Sequence, residues 1–187
     1  MPLPTLHTDR LVLRPFTPDD IPTLVPLIGA REIAATTRSI PHPYTVAHAE
    51  KFIENCSKGE EINLAIVLKT NSQLVGGGIL RPSLDDLHAE VGYWIALPYW
   101  RQGFATEAAR ALVSYAFDEL KMNRVYAFYM SSNPASGEVL KKLGLKHEGT
   151  MRKHQRKWGE YVDIKVYGML REEWLSCAER KGTLSTV

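Results

Sequence analysis

EVGYWIALPYWRQGFATEAARALVSYAFDEL, residues Glu90 to Leu120, holds two periodicities in one run. From Glu90 to Leu97 aromatic and β-branched residues dominate, which suits a strand. Farther on, Ala105, Ala109, Leu112, Val113, Ala116, Phe117 and Leu120 recur at i, i+3, i+4 spacing, which predicts an amphipathic helix. Between them lies a short turn, Pro98 to Phe104, containing Arg101, Gln102 and Gly103. A strand that turns through glycine into a helix points free backbone N–H groups, and the positive end of the helix dipole, at one spot. An anion is the natural occupant of such a spot, although an ordinary strand–turn–helix has the same outline. The turn is neither a dinucleotide fingerprint, which needs G-x-G-x-x-G, nor a P-loop, which needs G-x-x-x-x-G-K-[ST].

Outward from this segment, Ile62–Lys69 and Gln73–Arg81 read as strands joined by a hairpin turn at Asn71-Ser72. Gly76-Gly77-Gly78 interrupts the second, the mark of a bulge or a close backbone approach. Nearer the N-terminus, Leu11–Phe16 is a strand and Thr17-Pro18-Asp19-Asp20 starts a helix toward Ile28. A stiff loop, Ile40–Tyr44, precedes a helix capped by Thr45 and running to about Asn55. On the C-terminal side, Arg124–Met130 is a strand. Asn133, Pro134 and Gly144 fit the N-cap, N1 and C′ positions of the next helix. Leu145–Arg152 and Glu160–Leu170 are the last strands, connected by Lys153–Gly159. A short helix opens at Arg171, and 182–187 is expected to fray.

The 187 residues suit one domain, with 44% hydrophobic and 24% charged residues and a formal net charge of +2. That charge is too mild to argue for nucleic acid. Cys56 and Cys177 fit neither a metal site nor a disulfide framework and are expected to be free thiols in a reducing cytoplasm. Met1–Arg10 lacks the apolar run of a signal peptide, and no stretch approaches the ~18 apolar residues of a membrane span.

The turn resembles the acyl-CoA pyrophosphate loop, Q/R-x-x-G-x-G/A, of the GNAT superfamily of N-acetyltransferases, with Gly103 and Ala105 at its two small positions. Trp100 stands where that pattern has Gln or Arg. The run Tyr99–Ala108 is similar to the YWGxGYATEA-type loop of the RimJ/RimL branch, with Arg101 replacing a common glycine. Thr8–Pro15 resembles the TxRLxLRP opening of that branch, and Asn133–Gly144 resembles the superfamily's N-x-x-S…KxGF signature, with Leu145 in place of Phe. The resemblance covers roughly residues 8 to 175.

It implies an α/β (α+β) GNAT fold: a mixed, mostly antiparallel twisted sheet of about seven strands flanked by helices, with a splayed central strand pair that holds the CoA arm. It implies acetyl-CoA as co-substrate, with no metal. It assigns cofactor contacts to Ile95, Ala96, Leu97, Arg101, Gln102, Gly103, Phe104, Ala105, Thr106 and Asn133, the strand N–H groups near Ile95–Leu97 also serving the developing oxyanion. It makes Glu90 a base acting through water, or else a solvent-facing or salt-bridged strand residue. It puts Ser136 near the cofactor sulfur as proton donor, with Tyr129, Tyr161 and Tyr167 in reserve. Tyr44, which could equally be packed on its loop, and Tyr93 are acceptor contacts. Cys56 as an acyl carrier has no Cys–His arrangement behind it.

An α-amine, with pKa about 7.7–8.0, is roughly a tenth neutral at pH 7, whereas a lysine amine near 10.4 is almost wholly charged. A weak base therefore suits an α-amine, in line with the protein N-termini acetylated by named members of the branch. The same transfer to a small amine, such as an antibiotic or polyamine, is the second reading. A non-catalytic acyl-CoA-binding module is the third. The fourth is an RNA or ribosome surface at Lys153, Arg156, Lys157 and Trp158. No membrane partner is expected, and monomer and homodimer both remain open.

Overall fold

The chain is described from a computed structural model, which covers residues 3–182 apart from 57 and 60. The side chains of 177–182, the thiol of Cys177 among them, and residues 183–187 of the tail expected to fray from 182 lie outside the described residues, while the backbone of Gly182 closes the last helix.

One sheet runs through the molecule. Its strands are β1 (Leu6–His7), β2 (Leu11–Pro15), β3 (Ile62–Leu68), β4 (Leu74–Ser83), β5 (His88–Ile95), β6 (Arg124–Met130), β7 (Lys146–Lys157) and β8 (Glu160–Leu170). In space they follow the order β1-β2-β3-β4-β5-β6-β8-β7. Every neighbouring pair is antiparallel except β5 and β6. Those two are parallel because a helix, α4 (Phe104–Asp118), crosses over between them. Their ladder has three rungs, His88↔Arg124, Ala89↔Val125 and Glu90↔Tyr126, and beyond Glu90 the strands part. The sheet is thus the expected mixed, mostly antiparallel one, with eight strands where seven were expected. The extra strand is β1, two residues that the alternation pattern is too short to mark.

Successive side chains on a strand face opposite ways, so each face of the sheet needs its own cover. On β3, Leu64 and Ile66 join the core under α4 and α5 (Pro134–Leu143), with Leu112, Phe117 and Leu140. Ala65 and Val67 face α1 (Ile21–Ile28), α2 (Arg31–Thr36) and α3 (Val46–Cys56), with Leu24 and Ile33. The last helix, α6 (Arg171–Gly182), packs Trp174 on Phe117 with ring centroids 5.6 Å apart.

The glycine run makes room for close packing. A Cβ on Gly77 would lie 2.5 Å from the Trp94 indole nitrogen, and one on Gly78 would lie 2.8 Å from Leu112 of α4. The expected bulge is there too. Val67 pairs with Leu74 while Ile66 pairs with Gly76, which leaves Val75 as the extra residue.

Two elements differ from expectation. The segment after Gly29 forms α2, which is too short for its periodicity to stand out. The segment Lys153–Gly159, expected to be a connection, is mostly strand. The β7–β8 ladder skips between Met151 and Gln155, where Lys153 has a positive φ, and resumes through Lys157↔Glu160. The turn is only Trp158-Gly159, both left-handed, the geometry that closes a two-residue hairpin.

Candidate active site

The turn before α4 is built by backbone conformation. Gly103 is the N-cap, at φ 84°, and Arg101 also lies in the left-handed region, at φ 60°. A non-glycine residue there costs roughly 1–2 kcal/mol. Arg101 therefore sits under strain at a position that suits glycine, and it brings a cation to the turn. The turn is held from outside. Glu107, in the first turn of α4, accepts hydrogen bonds from the Thr8 hydroxyl (2.6 Å), the Arg10 backbone N–H (2.8 Å) and Arg10 Nε (2.7 Å). Arg10 also donates to the Gln102 carbonyl (3.0 Å) and lies 4.5 Å over the Phe104 ring. Burial pushes the Glu107 carboxyl up, but the bonds from Thr8 and Arg10 more than offset it and hold the group below the usual carboxylate range.

Trp100 serves the strand end. Its indole N–H donates to the Ile95 carbonyl at 2.5 Å. The Ala96 N–H donates to the carbonyl of the bulged Val75 at 2.8 Å, so it is already engaged.

The parted β5 and β6 open into a cavity of about 880 Å³ that runs from the Gly103 turn to the loop after α2. Of the expected cofactor contacts, Ile95, Arg101, Gly103, Phe104, Ala105 and Thr106 line it, and so does Asn133 from the start of α5. Ala96, Leu97 and Gln102 do not. Gln102 turns its side-chain amide to the Pro98 carbonyl (3.0 Å). Glu90, Ser136, Tyr44 and Tyr93 also line the cavity.

At mid-cavity, Tyr93 Oη and Ser136 Oγ lie 3.1 Å apart, and Tyr93 reaches the Ser136 carbonyl at 3.3 Å. Burial pushes the Tyr93 phenol up to about 12, with the Ser136 hydrogen bond working against it, so it keeps its proton at neutral pH. The two residues are 43 positions apart on a strand and a helix, and no local pattern links them. Of the reserve tyrosines, Tyr129 also lines the cavity, while Tyr161 is 63% exposed at the hairpin. Cys56 is buried and its thiol is pushed up to about 11, first by burial and then by Glu61, so it holds almost no thiolate for acyl transfer.

Asn133 caps α5 as expected. Its Oδ1 accepts from the Ser136 N–H at 3.4 Å, and its Nδ2 donates to the Thr36 carbonyl at 3.2 Å. Thr36 begins the loop that closes the far end of the cavity. Lys157 Nζ holds the Thr37 carbonyl at 2.8 Å. Arg38 Nη2 reaches Glu90 Oε1 at 2.7 Å, with its guanidinium 5.2 Å from the Phe128 ring centroid. Arg81 Nη1 reaches the same Glu90 oxygen at 3.3 Å, and Arg81 Nε reaches Glu61 Oε1 at 2.5 Å. Tyr44 lies beside His48, with ring centroids 5.6 Å apart, and burial pushes its phenol up to about 12. Trp158 meets His42 of the loop before α3 and Arg31 at the start of α2. Three of the four residues of the nucleic-acid reading, Arg156, Lys157 and Trp158, make side-chain contacts within the chain. No group of His, Cys, Asp and Glu among the described residues could hold a metal ion. No described helix is long and apolar enough to cross a membrane.

A parted strand pair that ends on a left-handed glycine turn at a helix start fits an extended thioester arm carrying a diphosphate. Comparison with known proteins agrees. Residues 10–146 match the family model described as an acetyltransferase (GNAT) domain. An uncharacterized N-acetyltransferase, p20, of Bacillus licheniformis is 27% identical over 175 residues, 91% of this chain and 98% of that one. Two solved structures share the fold. RimL, a ribosomal L7/L12 alpha-N-protein acetyltransferase in complex with coenzyme A, superposes with a TM-score of 0.81 at 17% identity. It covers 89% of this chain and 98% of its own. A spermidine N-acetyltransferase from Vibrio cholerae, with CoA and spermine, gives 0.78 at 21% identity, over 88% and 98%.

Proposed function

We propose that this chain, which belongs to the GNAT acetyltransferase family and is an N-acetyltransferase, moves the acetyl group of acetyl-CoA to the α-amine of a protein N-terminus. The observation that carries the choice of acceptor is the state of Glu90. One of its oxygens is taken by two guanidinium groups, so only Oε2 is left to take a proton, through a water molecule. Such a base suits an amine that is already partly neutral at pH 7. The ribosomal acceptor named for RimL agrees with this, and the spermidine acceptor of the other structural neighbour is the second reading.

The thioester supplies an activated acetyl group, and the residues of this chain bind and orient around it. The Gly103 turn and Arg101 hold the diphosphate with backbone N–H groups and one cation. Glu90 accepts the amine proton by way of water. No covalent enzyme intermediate is needed, since the amine attacks directly and Cys56 is held as a thiol. Tyr93 and Ser136 together offer hydroxyl groups to the departing sulfur. A thiol of pKa about 8.5 does not need a strong acid to leave, so hydrogen bonding from these groups suffices. Thiol release from acetyl-CoA against N-terminal peptides and spermidine tests the assignment. Turnover of peptides with free, unblocked N-termini is expected. Turnover confined to spermidine would reassign the enzyme to polyamines.

A further inference from the structure

Arg38, Lys51 and Arg81 line the cavity, and Lys157 holds the Thr37 carbonyl of its far-end loop. Glu90 answers Arg38 and Arg81, and Glu61 answers Arg81. Lys157 spends its charge on a neutral carbonyl, and burial moves its pKa down. Arg38 and Arg81 converge on one atom, Glu90 Oε1, so both guanidinium groups stand at the same place in the cavity. Their side chains keep 37% and 36% of their surface exposed. A guanidinium carries five N–H donors. Among the described residues, Arg38 has one hydrogen-bond partner, and Arg81 has two. Arg38 is held by Glu90 at 2.7 Å, with its guanidinium carbon 5.2 Å from the Phe128 ring centroid. Two guanidinium groups that line one cavity and still have unused donors are chemically complementary to a carboxylate. A polycation entering the same space would meet a net positive wall.

We propose that the acceptor carries a carboxylate close to the amine that is acetylated, and that Arg38 and Arg81 bind it. This rests on the N-terminal reading and deepens it: the acceptor is an N-terminus with Asp or Glu at its second or third residue. Glu90 then has a further part as the anchor that aims both arginines.

The test uses the full chain, acetyl-CoA and three peptides that differ only at the second residue, Ser-Asp, Ser-Ala and Ser-Lys, alongside glycine, glycinamide and spermidine. The expected result is a kcat/KM at least about tenfold higher for the Asp than for the Ala peptide, with the Lys peptide lower still. High salt should compress that ratio. Arg38→Gln and, independently, Arg81→Gln should bring the Asp peptide down toward the Ala peptide, with KM carrying the change and Tm reporting whether each variant folds. Equal rates for Asp and Ala peptides, or a preference for Lys, overturn the proposal while leaving N-terminal acetylation intact. Glycine favoured over glycinamide, with all peptides inert, overturns the N-terminal reading while the carboxylate site stands. Turnover of spermidine alone, or of nothing, removes both.

Discussion

The two ends of the cavity are made in different ways. At the end proposed for the cofactor, a left-handed arginine, a left-handed glycine and the first turn of a helix follow one another within a few residues, and the groups offered there are mainly backbone N–H. At the acceptor end, a loop is held by side chains from three separate elements: Asn133 on Thr36, Lys157 on Thr37 and Glu90 on Arg38. These contacts span 97, 120 and 52 residues of sequence. A backbone site tolerates side-chain change but not a change of conformation. A side-chain site is the reverse, so acceptor choice can drift while the donor stays fixed.

The sharpest way to break this contrast is at Gly103. Gly103→Glu forces a residue with a Cβ into φ 84°, sets that Cβ 3.3 Å from Arg10 Nη2, and strains the backbone of the turn proposed to hold the diphosphate. Acetyl-CoA binding should be lost in a chain that still folds. Calorimetry that finds unchanged affinity would show that the turn is not the donor site.

At the other end the largest effect belongs to Glu90. Glu90→Gln keeps the size and removes the charge, and kcat should fall by roughly 10²–10⁴, recovering at high pH where the amine loses its proton unaided. Acetyl-CoA affinity should not move. A rate within about twofold of the parent at pH 7 would leave Glu90 only the task of aiming Arg38 and Arg81.

A smaller, paired effect lies where the ends meet, on the first turn of α5. Asn133→Ala removes both a helix cap and the tether to Thr36, and should cost about 0.5–2 kcal/mol of stability. Its KM for acceptor should rise because the loop is released. Ser136→Ala should leave Tm nearly unchanged, since Ala suits a helix, and should lower kcat. Tm and steady-state kinetics on both variants separate the two roles. Normal turnover in Ser136→Ala would pass the sulfur contact to Tyr93 alone.

The same contrast explains what the sequence made legible. The helix after Gly103, the Asn133–Pro134…Gly144 frame of α5 and the strands from β2 to β6 all follow from local signals, and each is present. The turn at Gly103 was legible as a candidate anion site because a helix start offers its N–H groups through contiguous backbone, and the left-handed glycine is where the spacing puts it. The acceptor end was named only through single residues, Tyr44, Tyr93 and Glu90. Their partners Arg38, Arg81 and Ser136 come from other elements, and only the tertiary fold brings them together. Thr8, Arg10 and Glu107 stand out in two separate motifs, yet nothing in either shows that they bond to each other across about a hundred positions. The reach of β7 to Lys157 was hidden because the skipped rungs near Lys153 look like the end of a strand.

The short parallel ladder between β5 and β6 has a thermodynamic consequence. With three rungs joining them, the two halves of the sheet meet at a seam, and past Glu90 and Tyr126 each half ends in an edge inside the molecule. Edges are ordinarily a hazard kept at the rim and blunted there. Here they face the cavity that opens where β5 and β6 part. A donor arm bound there in the proposed way would take the place of a strand, so occupancy of the cleft and cohesion of the two halves would become linked quantities. Melting should then shift upward when acetyl-CoA is added, and an unchanged Tm at saturating acetyl-CoA would break the link.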